Sequence, residues 1–396
     1  MVDYSKILNK KIKEVKPSGI RKFFDIANEM EDVISLSIGE PDFQTPWHIR
    51  QAGIDSLEKG KTWYTPNRGF IKLREEISNY FLRRFNVEYD PKNEILVTVG
   101  GSEAIDAVLR CVVEEGDEVL IPQPSFVCYE PLALMADATP VIIETKMENN
   151  FKLTPQDIEE KITDRTKVLI LPFPNNPTGA IMEKSDLEAI AEVVEKHNLF
   201  VLSDEIYGEL TYNGKGHAAF SSIKNMKERT IVVSGFSKTY AMTGWRLGYA
   251  LGPKPVIDQI TKLHQFGIMS APTTAQYAAI EALKNGDSDI ENMRSQYNMR
   301  RRLLVGSFNK MGLSCFEPLG AFYVFPCIKS TGLSSEDFCT RLLKAKHVAV
   351  VPGNAFGESG EGYVRVSYSY SLAHLKEALK RIEEFLKELK EENPQS

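Results

Sequence analysis

Cysteine is scarce: the 396 residues include only five, Cys111, Cys128, Cys315, Cys327 and Cys339, and no two form a CxxC pair. An odd, scattered set cannot frame a disulfide scaffold or a zinc site, so the thiols read as reduced side chains of a cytoplasmic protein with no metal. Basic excess is missing too. With 48 Lys and Arg against 54 Asp and Glu, the net charge is -6, and no basic run offers a surface for nucleic acid. Nothing approaches the apolar length of a membrane span, and the opening MVDYSKILNKKIKEVKPSG lacks the apolar stretch of a secretory signal. Internal repeats and low-complexity segments are absent. Gly60-Lys61-Thr62 hints at a nucleotide-binding loop, but Asp55 stands where GxxxxGK[ST] requires glycine, and GxGxxG is absent as well.

What is present suits a soluble enzyme of two domains, with 42% apolar and 26% charged residues. The middle of the chain alternates strand and helix signals. Lys167 to Leu171 is an apolar run leading into PFPNNPTG, and Ser185-Asp186 is placed to cap the helix LEAIAEVVEKH. Leu199 to Leu202 leads into Ser203-Asp204-Glu205, and Ile231 to Val233 breaks at Ser234-Gly235 before Lys238. Such alternation predicts a parallel sheet, whose ligands bind beyond the carboxyl ends of the strands. Asn176, Asp204 and Lys238 are each expected just past such an end. Polar residues follow most strands, so one alone would mean little; an amide, a carboxylate and an amine in successive units mean more. A lysine in apolar surroundings loses solvation for its ammonium form, which frees a neutral amine to condense with a carbonyl.

Other segments are ambiguous when read alone. Ile95 to Val99, then Gly100-Gly101-Ser102 and the helical EAIDAVLRCVV, form a strand, turn and helix start able to receive an anion. Ile34 to Ile38 suggests a strand that Gly39-Glu40-Pro41-Asp42-Phe43 ends in a turn, which could be a plain interdomain loop. Tyr64 and Phe126 could be ordinary packed aromatics. Arg365, within GYVRVSYS, is either a surface residue or a buried cation needing an anionic partner, for which its planar fork suits a carboxylate.

In order along the chain, SIGEPDF, YTPNRG, NNPTG, SDEIY, SGFSKTYAMTGWRLGYA and GYVRVSYS resemble the class I aminotransferases of the aspartate aminotransferase fold family, which use pyridoxal phosphate. The resemblance runs from about residue 15 to about 388. It implies an α/β protein with a doubly wound, mostly parallel sheet in a large domain, 46–286. The smaller α/β domain would be formed by both termini, from an arm at 1–45 and from 287–396. It implies that Lys238 bonds covalently to the cofactor and moves protons, that Asp204 pairs with the ring nitrogen, and that Tyr207 donates to the ring oxygen. Asn176 would bond that oxygen and the substrate carboxylate, and Phe126 would stack on the ring. Gly101, Ser102, Ser237 and Arg246 would hold the phosphate, joined by Tyr64 from the neighbouring subunit of a homodimer. Gly39 and Arg365 would receive the substrate carboxylate.

One departure is visible: Gly235 stands where many members carry a phosphate-binding serine, which leaves Ser234 or Ser237 to compensate. The activity implied is amino transfer between an α-amino acid and a 2-oxo acid by a ping-pong route. SGIRKF and LSDEIYGELTY resemble enzymes for acetylated diaminopimelate and broad aspartate or aromatic enzymes. Aspartate-preferring bacterial relatives of this subgroup are expected to have lysine in place of Ser102. A β-lyase on the same fold is the alternative, and a non-catalytic regulator would be expected to lack Lys238.

Overall fold

A computed structural model describes residues 2–17, 19 and 30–392; most of SGIRKF (Ser18 and Ile20 to Phe23) lies outside them. Among the described residues the apolar runs form twelve strands: β1 Ile34–Ser35, β2 Ile95–Thr98, β3 Glu118–Gln123, β4 Thr139–Glu144, β5 Thr166–Leu171, β6 Phe200–Asp204, β7 Thr230–Gly235, β8 Gly248–Leu251, β9 Tyr323–Val324, β10 Val348–Ala349, β11 Val351–Pro352 and β12 Val364–Ser367. Seven of them build one sheet in the order β2-β8-β7-β6-β5-β3-β4. All neighbours in it are parallel except β8, which runs antiparallel to both β2 and β7. Helices cover both faces, so β2, β3 and β7 are buried at every position and show no polar alternation.

The crossover from β5 to β6 shows why the sheet is parallel. Helix Lys184–Lys196 turns Leu187, Ile190, Val193 and Val194 inward and returns the chain to the same edge. Its start differs from the expected Ser185-Asp186 cap. The helix begins at Lys184, and Asp186 accepts the Glu183 N–H at 2.8 Å.

Two expectations at the working edge are also corrected. Asp204 is the last residue of β6, paired with Val233, and not a residue beyond it. Ser234 and Gly235 remain in β7 because β8 pairs with them through Tyr249 and Gly248. Lys238 therefore sits on the helical turn Phe236–Thr239 that follows directly.

β1 is shorter than expected, two residues paired in parallel with β10, and the chain from Leu36 onward runs irregularly toward the sheet edge. β11, β12 and β9 form a separate antiparallel sheet. The helices Asp287–Lys310 and Leu372–Glu392 pack on it through Tyr297, Leu304, Leu375, Leu379 and Ile382. Among the described residues no helix is long and apolar enough to cross a membrane, and no group of His, Cys, Asp and Glu could hold a metal.

Candidate active site

A cavity of about 900 Å³ opens where β5, β6 and β7 end, walled opposite by β12 and by the loop after β1. Gly39, Gly101, Ser102, Phe126, Asn176, Asp204, Tyr207, Ser237, Lys238, Arg246 and Arg365 all line it. Tyr64 does not: it is 80% exposed on a loop outside the cavity.

Lys238 Nζ donates to the Gly39 carbonyl at 2.6 Å and lies 6.0 Å from the Phe322 ring. Burial lowers its pKa to about 8; Arg365 and Arg246 push the same way, against Glu40. The amine is thus poised near neutral pH. The loop supplying the carbonyl is fixed at several points. Asp42 pairs with Arg300 at 2.7 Å, and Thr45 Oγ1 donates to the Ala241 carbonyl at 2.6 Å. Trp245 Nε1 in turn donates to Thr45 at 3.1 Å.

Asp204 is 6% exposed and accepts from Tyr129 Oη at 2.7 Å and from the Ile206 N–H at 3.2 Å. Those bonds favour the carboxylate, yet burial outweighs them and the pKa is raised to about 6. No cation stands against it among the described residues. A protonated pyridine nitrogen would complete this donor set.

Arg365 is 2% exposed. Its Nη1 donates to Asn176 Oδ1 at 2.9 Å and its Nη2 to the Ser37 carbonyl, while Nε has no partner. The guanidinium lies over the rings of Tyr323, at 4.5 Å, and Phe356, at 4.8 Å. Burial lowers its pKa. A buried guanidinium facing neutral groups, with an orphaned N–H, is chemically suited to receive a carboxylate. Asn176 is held within a turn where Asn175 Oδ1 accepts from Thr178 Oγ1 at 2.8 Å.

At the other end, Gly100 opens helix Gly100–Val112 at φ +77°, and a Cβ there would stand 2.6 Å from Arg246 Nη2. The exposed Arg246 guanidinium therefore lies against the turn. Unpaired helix N–H groups and a cation make an anion seat of the kind a phosphate takes. Ser237 lines the cavity here. Ser234 does not, because its hydroxyl bonds to the Glu205 carbonyl at 3.3 Å. A Cβ on Gly235 would meet Gly248 Cα and the Leu247 carbonyl at 3.0 Å, so the tight β7–β8 pairing leaves little room for serine.

These groups fit pyridoxal phosphate: an anion seat, a carboxylate awaiting a cation, an amine near neutrality, and a half-buried aromatic, Phe126, beside them. Sequence reasoning missed Tyr129 and Tyr323. Tyr129 stands three residues after Phe126 at the start of helix Tyr129–Met135, and Tyr323 is hidden in the apolar AFYVF, where nothing distinguishes it from core.

Comparison with known proteins agrees with this chemistry. Residues 31–382 match the model of the aminotransferase class I and II family. An aspartate aminotransferase of Pyrococcus abyssi is 46% identical, covering 95% of this chain and 97% of its own. Aromatic-amino-acid aminotransferase 2 of Thermococcus litoralis is 44% identical, over 97% and 99%. The crystal structure of an aromatic aminotransferase from Pyrococcus horikoshii superposes with a TM-score of 0.89 at 44% identity, over 94% of this chain and 99% of that one. A cavity that brings together a buried amine, a carboxylate and two guanidinium groups thus coincides with near full-length similarity, and the chain belongs to the class I and II aminotransferases.

Proposed function

We propose that this pyridoxal-phosphate-dependent aminotransferase works by a ping-pong exchange between an α-amino acid and a 2-oxo acid, with Lys238 as its proton carrier. When bound, the cofactor supplies an electron-withdrawing ring that stabilises negative charge at the substrate Cα. The chain supplies the rest. Lys238 Nζ would hold the cofactor covalently and, when free, would take the Cα proton, a role its pKa of about 8 suits. Asp204 holds the ring nitrogen protonated, since a cation there relieves its buried charge. Tyr207 and Asn176 would receive the ring oxygen, Phe126 would cover the ring, and Arg246, Ser237, Ser102 and Gly101 would hold the phosphate. Arg365, with the backbone at Gly39, binds the α-carboxylate. The observation that carries this reading is the convergence of Lys238, Asp204 and Arg365 on one cavity.

Substrate choice follows from the cations. Among the described residues those lining the cavity are Lys238, Arg246 and Arg365, and each already has a role. Among the described lining residues none is left for a side-chain carboxylate, whereas Ile38, Ile105 and Val127 offer apolar wall. Aromatic donors are therefore expected to outrank aspartate, with acetylated diaminopimelate a third candidate. The reading includes a cytoplasmic homodimer in which Tyr64 completes the neighbouring phosphate seat. In support, Trp63 beside it is exposed, its carbonyl accepting from Thr273 Oγ1 at the start of helix Thr273–Asn285 at 2.7 Å, and Phe266 on helix Lys254–Gly267 is exposed too. It also includes the two-domain division, 46–286 against 1–45 with 287–396, in keeping with the β1–β10 pairing.

The test is the absorbance spectrum of the loaded protein on adding single amino acids without an oxo acid. The expected result is a loss of the visible band that a 2-oxo acid restores, fastest with aromatic donors and absent in Lys238→Ala. Release of ammonia and pyruvate without that reversible change would overturn the reading in favour of a lyase.

A further inference from the structure

Tyr323 is fully buried and has no role in the reading above, yet it touches three parts of the site. Its Oη lies 2.9 Å from Tyr207 Oη. Its ring lies under the Arg365 guanidinium, 4.5 Å from centroid to carbon. It reaches so close to the entrance loop that a Cβ on Gly39 would stand 2.5 Å from its Oη. The two tyrosine rings meet edge-on at 5.9 Å.

Which phenol donates is decided by the cation. A guanidinium against the Tyr323 ring favours loss of its proton, making it the stronger donor of the pair. Burial raises both phenols, Tyr207 well above its ordinary value and Tyr323 less, with Arg365 opposing the rise at each. The 2.9 Å contact admits either donor, and the cation over its ring favours Tyr323 as the one, which leaves the hydrogen of Tyr207 free for the cavity. A hydroxyl that accepts one hydrogen bond donates the next more strongly. The other charged and titratable groups facing the pair are Asp204 at the end of β6, Glu40 on the entrance loop and Tyr370 beyond β12.

We propose that Tyr323 is a positioning residue that sets how strongly Tyr207 donates into the cavity and transmits to it whether Arg365 holds a carboxylate. With Arg365 unpartnered, its charge polarises Tyr323 and so strengthens the Tyr207 donor. A carboxylate on Arg365 cancels that charge, and the donation weakens. The inference rests on the roles given above to Tyr207 and Arg365, and it adds a coupling between them.

The test is the pH midpoint of the visible absorbance change of the cofactor-loaded protein, with and without 3-phenylpropionate, an unreactive carboxylate. A weaker donor to the ring oxygen raises that midpoint. Tyr323→Phe, which keeps the ring under Arg365, is expected to raise it by about half a unit and to cut the carboxylate-induced rise by about half. Replacing Tyr323 by 3-fluorotyrosine, a more acidic phenol of nearly the same shape, is expected to lower it. Tyr207→Phe separates the two levels of the argument. If it leaves the midpoint unchanged, the role of Tyr207 itself fails. If it moves the midpoint while both Tyr323 variants, melting like the wild type, do not, the coupling alone is overturned. Should Tyr323→Phe not fold, the fluorotyrosine protein decides.

Discussion

The two ends of the cavity each present an arginine, and they are built on opposite plans. Arg246 is exposed, lies against a glycine turn and shares its anion seat with backbone N–H groups at a helix start. Arg365 is buried between aromatic rings and held by neutral acceptors, with one N–H orphaned. An exposed cation is stabilised by water whether or not its ligand is present. A buried one remains destabilised until its ligand arrives, so the ligand's charge is felt more strongly there. The first plan suits a group held through many turnovers, the second one that enters and leaves at each.

The strongest way to break this comparison is at the buried end. Arg365→Lys, which loses the planar fork, is expected to lower kcat/KM about 10²- to 10³-fold for every amino acid tested, as steady-state kinetics would show. Arg365→Met should lose at least as much activity and yet melt no lower than the wild type, because an uncompensated buried charge has gone. A clear fall in its melting temperature would mean that Arg365 is structurally satisfied as it stands.

Next in size is Asp204→Asn in the cofactor-free protein. A carboxyl raised from its ordinary value to about 6 by burial is protonated in the folded state between those pH values and ionised in the unfolded one. The wild type therefore loses stability as pH rises through that window. The variant should be equally stable near pH 3.5 and about 3 kcal/mol more stable above pH 7, measured by denaturant midpoints across pH.

A smaller effect is expected at the exposed end, where Arg246→Lys should weaken cofactor binding about tenfold with little change in stability, since helix N–H groups share the load. A loss as large as that of Arg365→Lys would erase the distinction between the ends. Smallest is Gly235→Ser. Its Cβ would press on Gly248 Cα and the Leu247 carbonyl, and a cost of about 1 kcal/mol is expected in thermal melts. A tighter hold on the cofactor in that variant would show that Ser237 leaves the phosphate seat incomplete.

How legible these ends were differs as well. The cofactor side sits on strands whose apolar runs, glycine turns and following polar residues are local, so Lys238, Asn176 and the Gly100 turn could be placed from the sequence. Asp204 was placed one step too far out, because apolarity ends at Leu202 while β6 continues through its pairing with β7. Arg365 was undecidable locally. Its burial comes from Phe356, Tyr323 and the carbonyl of Ser37, partners that only the folded chain assembles. Tyr129 and Tyr323 were invisible for the same reason: a phenol that bonds a carboxylate or another phenol looks, in sequence, like any core aromatic.

The contact between Gly39 and Tyr323 has a consequence for how such a chain can diverge. With no room for a methyl group beside the Tyr323 hydroxyl, alanine at 39 is admissible only once 323 has given up that hydroxyl or moved aside. Phenylalanine at 323 would open the space that alanine at 39 needs. The residue at 323 thus decides whether a methyl group at 39 is tolerated, so the same substitution at 39 is harmful or harmless according to what stands at 323.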